Sequence, residues 1–224
     1  MRPPLIPSFW VKVVMALTGL VFAAFVLVHM LGNLKVYAGA SHFDRYALWL
    51  RSMFAPLFPH EGLLWVARVV LLVSLVLHVS GGIVLAVRAR RARGDFPRTA
   101  LRPSSFAART MLATGLAVLG FLVFHVLDLT LGARPVAHAS FDASHPYTNL
   151  VASFQRPWVA AVYMVVMLLL AAHLAHGLWA SAHDLGVTGP RARRLALRGS
   201  AVVALVVTLG NLSIPIAVLL GVIR

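Results

Sequence analysis

The chain alternates long stretches holding almost nothing but apolar residues with shorter ones where charge, proline and polar side chains gather. A helix crossing a bilayer core of about 30 Å needs roughly 20 such residues. Five windows reach that length, at residues 11–34, 63–87, 106–131, 158–181 and 199–223. They predict an all-α fold, a polytopic bundle of five transmembrane helices spanning residues 1–224 as a single domain. Lys12, Arg68, Arg109 and Asp128 fall near the ends of their windows, where a side chain can reach headgroups or a cavity.

The segments between the windows carry weaker patterns. In residues 35–62, Phe43, Tyr46, Ala47, Leu50 and Phe54 recur at helical spacing with Asp44, Arg45 and Arg51 among them. That predicts a short helix lying on the outer surface. Residues 132–157 are rich in Ser, His and Pro and read as irregular. Ala38-Gly39-Ala40 resembles a signal-peptide cleavage site, but the preceding apolar stretch is long for a signal sequence and holds His29. It is therefore expected to remain as a span.

Composition agrees with a membrane protein. The 224 residues are 60% apolar and 12% charged, and the mean hydropathy of +0.88 excludes a water-soluble globule. Twenty Lys and Arg against six acids give a formal charge of +14. In a soluble protein that excess would suggest nucleic acid; here its distribution points to anionic lipid, and no nucleic-acid partner is expected. Residues 88–109 carry seven arginines and one acid, and Arg191, Arg193, Arg194 and Arg198 follow the fourth window. Cytoplasmic loops collect such charge, which puts the N-terminus inside and Arg224 outside. Trp10 and Trp179 then fall at the inner interface and Trp49, Trp65 and Trp158 at the outer one.

There are no cysteines, so thiolate metal sites, Cys-ligated iron–sulfur clusters and c-type haem attachment are excluded. Histidine is the remaining abundant metal-ligand type. An ionisable residue inside a span is costly and reads as functional by default. His29, His78 and His125 lie on the first three windows, His173 and His176 on the fourth. At 1.5 Å per residue from the window midpoints, His29 and His125 lie about 9 to 10 Å toward the outer face. His78 lies about 5 Å and His176 about 10 Å toward the inner face.

Two pairs at two depths is what a membrane protein holding two low-spin b-type haems needs, each iron taking an axial imidazole from either side. The first four helices would enclose the two stacked haems. His173 and His176 are three residues apart, about 300° around the axis, and cannot share one axial position. His176 is expected to ligate, and His173 to pack or to support a haem from beside it. Gly19 and Gly115 stand at the inner depth, where a helix passing close to a flat ring needs room. The alternative is a set of buried histidines bonded to neighbouring carbonyls or water.

Together these residues resemble a known family, the five-helix di-haem cytochrome b anchor subunits of succinate dehydrogenases and fumarate reductases. The resemblance rests on His29-Met30-Leu31-Gly32-Asn33-Leu34, on Phe43-Asp44-Arg45-Tyr46-Ala47-Leu48-Trp49-Leu50, and on Leu77-His78 with Gly81-Gly82. Phe124-His125 and His173-Leu174-Ala175-His176-Gly177-Leu178-Trp179 complete it. It implies a bacterial cytoplasmic-membrane subunit of complex II that takes electrons from flavoprotein and iron–sulfur partners at the cytoplasmic face and passes them to a quinone, menaquinone being expected. His78 and His176 would hold the haem near those partners, His29 and His125 the distal one. Glu61, at the outer start of the second window, would exchange protons with the quinone. Arg68, two turns deeper, would neutralise a haem propionate. Two other readings compete: a haem-free anchor whose histidines line a quinone or proton path, and a small transporter. The lack of acids in mid-window argues against the transporter.

Overall fold

A computed structural model describes residues 6–94 and 103–224. Its helices are α1 (Ser8–Asn33), α2 (Ala40–Ser52), α3 (Gly62–Arg93), α4 (Pro103–Leu129), α5 (Pro146–Phe154), α6 (Pro157–Asp184) and α7 (Pro190–Leu219). There is no strand among the described residues. Five helices (α1, α3, α4, α6 and α7) are long and apolar enough to cross a membrane. Their lipid-compatible surfaces are extensive: Leu72, Val73 and Val76 of α3 and Leu116 and Val123 of α4 are all exposed. The chain is an all-α bundle with the character of a multi-pass membrane protein.

Local sequence explains where the helices begin. Proline stands in the first turn of α5, α6 and α7, where its fixed φ suits a helix and its missing N–H costs nothing. Gly39 and Gly189 precede α2 and α7 at φ +88° and +87°, a region that favours glycine. The basic stretches are more helical than the window pattern suggests. α3 continues through Arg88, Arg90 and Arg91, and α7 starts at Pro190, so Arg191, Arg193, Arg194 and Arg198 lie on its first turns. Arginine is a good helix former, and a helix need not stop where the membrane does.

α1 packs on α3, α6 and α7, α4 packs on α6, and α6 packs on α7. Neither α1 with α4 nor α3 with α6 forms an extended packing contact. The first four membrane helices therefore make a ring in the order α1, α3, α4, α6, with α1 opposite α4 and α3 opposite α6. α7 lies outside the ring against α1 and α6.

One end of the ring is closed by α2, α5 and the C-terminus, and we call it the cap end. α2 is the short helix expected there. The nine-residue α5 corrects the reading of residues 132–157 as irregular. Its apolar Leu150, Val151 and Phe154 join a core with Val36, Phe43, Val159, Tyr163 and Ile214, while the surrounding Ser, His and Pro mask so short a pattern. Tyr147 ties the cap together: its N–H donates to Asp44 Oδ1 at 3.0 Å and its hydroxyl to the Arg224 carbonyl at 3.0 Å.

Candidate functional site

The helices that stand opposite one another in the ring carry histidines that face each other. His29 of α1 and His125 of α4 have ring centroids 5.8 Å apart with planes at 86°. His78 of α3 and His173 of α6 have centroids 6.4 Å apart with planes at 63°. The first pair lies nearer the cap end, close to the last turns of α1 and α4.

The second pairing differs from the expected one. His78 meets His173, whereas His176 lies beside Trp179, 5.5 Å between centroids. The two candidates differ by about 60° of helix rotation and one turn of depth, and apolar window midpoints fix neither to that accuracy.

Hydrogen bonds set the proton on three of the four rings. Thr18 Oγ1 donates to the Val14 carbonyl at 2.8 Å, so its lone pair accepts from His78 Nδ1 at 3.1 Å. Thr114 Oγ1 donates to the Thr110 carbonyl at 2.9 Å and accepts from His173 Nδ1 at 3.2 Å. Tyr163 donates to Asp128 Oδ2 at 3.1 Å and accepts from His125 Nδ1 at 3.2 Å. With the hydroxyl hydrogens on those oxygens, Nδ1 is the donor in each ring and Nε2 is left its lone pair, the tautomer a metal-binding histidine takes. His29 has no hydrogen-bond partner among the described residues and stacks on Phe25, 5.3 Å between centroids.

The donor set fits a haem. Two imidazoles on opposite sides of one metal ion, each bonded at about 2 Å, have ring centroids about 6 Å apart, the spacing found in both pairs. At the second pair Gly19 and Gly115 let the imidazoles themselves come close to α1 and α4, since a Cβ on them would stand 3.4 Å from His78 Cε1 and 3.2 Å from His173 Cε1. Thr18 and Gly19 are adjacent, as are Thr114 and Gly115, so each helix offers a polar contact and a close approach at one level. Since Thr18 touches His78 and His29 lies eleven residues further along α1, the two pairs are separated by about 16 Å along the axis. Thr114 and His125 give the same eleven-residue interval on α4.

No family model, curated protein or solved structure matches the chain.

The threonines were not among the expected site residues, although the sequence carries their signal. Thr-Gly followed by histidine eleven residues after the threonine occurs at Thr18 and again 96 positions later, at Thr114. Asp128, near the end of its window, is fully buried. Its carboxylate takes Arg156 Nη2 on Oδ1 at 2.5 Å, and the hydroxyls of Ser153 and Tyr163 on Oδ2.

Glu61 and Arg68 sit apart from both pairs. Glu61 precedes α3 at φ +61°, its Oε1 3.4 Å from Arg51 Nε and its Oε2 3.2 Å from Arg68 Nη1. Arg68 also covers the Trp65 ring at 4.8 Å. Seven residues make nearly two full turns, so Glu61 and Arg68 share a helix face, and the carboxylate engages the guanidinium that was expected at a propionate. No contact joins either residue to a histidine pair among the described residues.

Proposed function

We propose that this chain is the membrane-anchor cytochrome b subunit of a succinate:quinone oxidoreductase. In this reading His29 with His125, and His78 with His173, each hold one b-type haem, and His176 is not a ligand. The observation that carries the reading is the pairing itself: four helices bring imidazoles together two by two at metal-sharing distance. Three of the four present a bare Nε2. Haem bound there supplies reversible one-electron chemistry at two depths.

The remaining parts of the reading follow from the resemblance and the charge pattern. The basic end faces the cytoplasm of a bacterium, where flavoprotein and iron–sulfur subunits deliver electrons from succinate. Quinone, menaquinone in the first instance, is reduced toward the cap end, and Glu61 at that end is the proton-exchanging acid. Arg51 and Arg68 fix the position of its carboxylate.

The test is purification of the chain from its native membrane in mild detergent, followed by addition of succinate. The reading predicts co-purifying flavin and iron–sulfur proteins and a b-type spectrum that succinate reduces. A haem-bearing preparation without those partners, unresponsive to succinate, contradicts the complex II assignment. A haem-free one contradicts the cytochrome assignment as well.

A further inference from the structure

The two histidine pairs are held by different chemistry. At the His78–His173 pair both Nδ1–H groups meet threonine hydroxyls, which pass their own hydrogens to backbone carbonyls of the same helix, and the carbonyls of Met15 and Met111 also reach the two rings. Those partners are neutral. At the cap-end pair, the His125 Nδ1–H ends on Tyr163, whose single hydrogen goes to the Asp128 carboxylate. One neutral group thus separates the imidazole from a buried acid.

The acid is held firmly. Arg156 binds its other oxygen and also donates from Nη1 to the Val136 carbonyl at 2.6 Å and from Nη2 to Ser153 Oγ at 3.0 Å. Phe121 and Phe154 meet the Tyr163 ring edge-on, each 4.8 Å away between centroids, so the phenol has little freedom to turn from His125. The two partners divide the carboxylate, Tyr163 on Oδ2 and Arg156 on Oδ1.

We propose that Tyr163 and Asp128 are positioning residues for His125 that lower the midpoint potential of the cap-end haem, with Arg156 opposing them. The proposal rests on the di-haem reading. An imidazole whose N–H is bonded toward a carboxylate donates more electron density to its metal and favours the oxidised ion, whereas a threonine hydroxyl does this less. The cap-end haem thereby gains a control that the other lacks.

The experiment is an optical redox titration of the full haem-loaded chain in lipid nanodiscs, with His29→Ala identifying the cap-end signal. Tyr163→Phe keeps the ring and its aromatic contacts, and should move that signal to higher potential while leaving the other in place. Asp128→Asn should move it the same way and Arg156→Gln the opposite way, a sign reversal that general loosening of the site would not produce. Changed low-temperature electron paramagnetic resonance of the same haem alone should accompany Tyr163→Phe. Two bound haems with both potentials unmoved in Tyr163→Phe would overturn the proposal and leave the di-haem reading intact. Equal shifts of both signals would also overturn it. A wild-type chain without haem would overturn the reading and the proposal together.

Discussion

Thr114 holds His173 by its Nδ1 at 3.2 Å, and one residue further along α4 the missing side chain of Gly115 leaves room beside the same imidazole. Thr18 and Gly19 do the same for His78 from α1. Each histidine of this pair is therefore oriented from a neighbouring helix of the ring, and replacing either threonine by valine keeps the shape while removing the acceptor. Thr18→Val and Thr114→Val should both raise the midpoint potential of the same haem, leaving the cap-end haem unchanged in a redox titration.

The pairing predicts which single substitutions act alike. His78→Ala and His173→Ala should abolish one low-spin haem signal, and His29→Ala and His125→Ala the other. His176→Ala should keep both. Haem content per chain and a reduced-minus-oxidised spectrum of each variant check this. Loss of a haem in His176→Ala, with retention in His173→Ala, would restore the pairing first expected from window midpoints.

The glycines give a ranked prediction. A methyl at position 115 would press His173 Cε1 at 3.2 Å, so the ring must give way slightly, whereas at position 19 the 3.4 Å contact with His78 is ordinary packing. Gly115→Ala should disturb the spectrum of the His78–His173 haem more than Gly19→Ala, and leucine at either position should expel it. Equal tolerance of leucine at both positions in haem-content measurements would show that the space there serves helix packing alone.

Outside the membrane helices, the turn before α5 carries a pH-dependent contact. Asp142 accepts from the Ser144 hydroxyl at 2.6 Å, the Ser144 amide at 2.9 Å and His145 Nδ1 at 2.8 Å, and these bonds hold its carboxyl down at about 2. Because the folded value is depressed, the contribution is complete above the ordinary carboxylate range and is lost as pH falls toward about 2. Protection of the Ser144 amide from hydrogen exchange should persist through mild acid, and in Ser144→Ala the Asp142 titration should move back toward its ordinary midpoint.

Much of this structure is legible in the sequence because membrane helices announce themselves by length alone. The five spans and the α2 helix at the cap follow from apolar runs and helical spacing, and so does the selection of His29, His78 and His125. What the pattern does not carry is rotation. Choosing between His173 and His176 requires the direction in which α6 presents each residue, and in an apolar helix nearly every face reads alike. The Asp128–Arg156 pair joins residues 28 positions apart through the cap, and only the packing of α4 against α5 and α6 brings them together. α5 itself is too short, and too rich in turn-forming neighbours, to stand out. The Thr-Gly and histidine interval on α1 and α4 was readable, but only as a comparison of the chain with itself.

Two metal-bound porphyrins between these four helices would show at once in the haem stoichiometry of the purified chain. The expected value is two b-type haems per polypeptide, both low-spin with two imidazole ligands by electron paramagnetic resonance. A correctly inserted, fully folded chain that carries no haem when expressed with ample haem supply would contradict it.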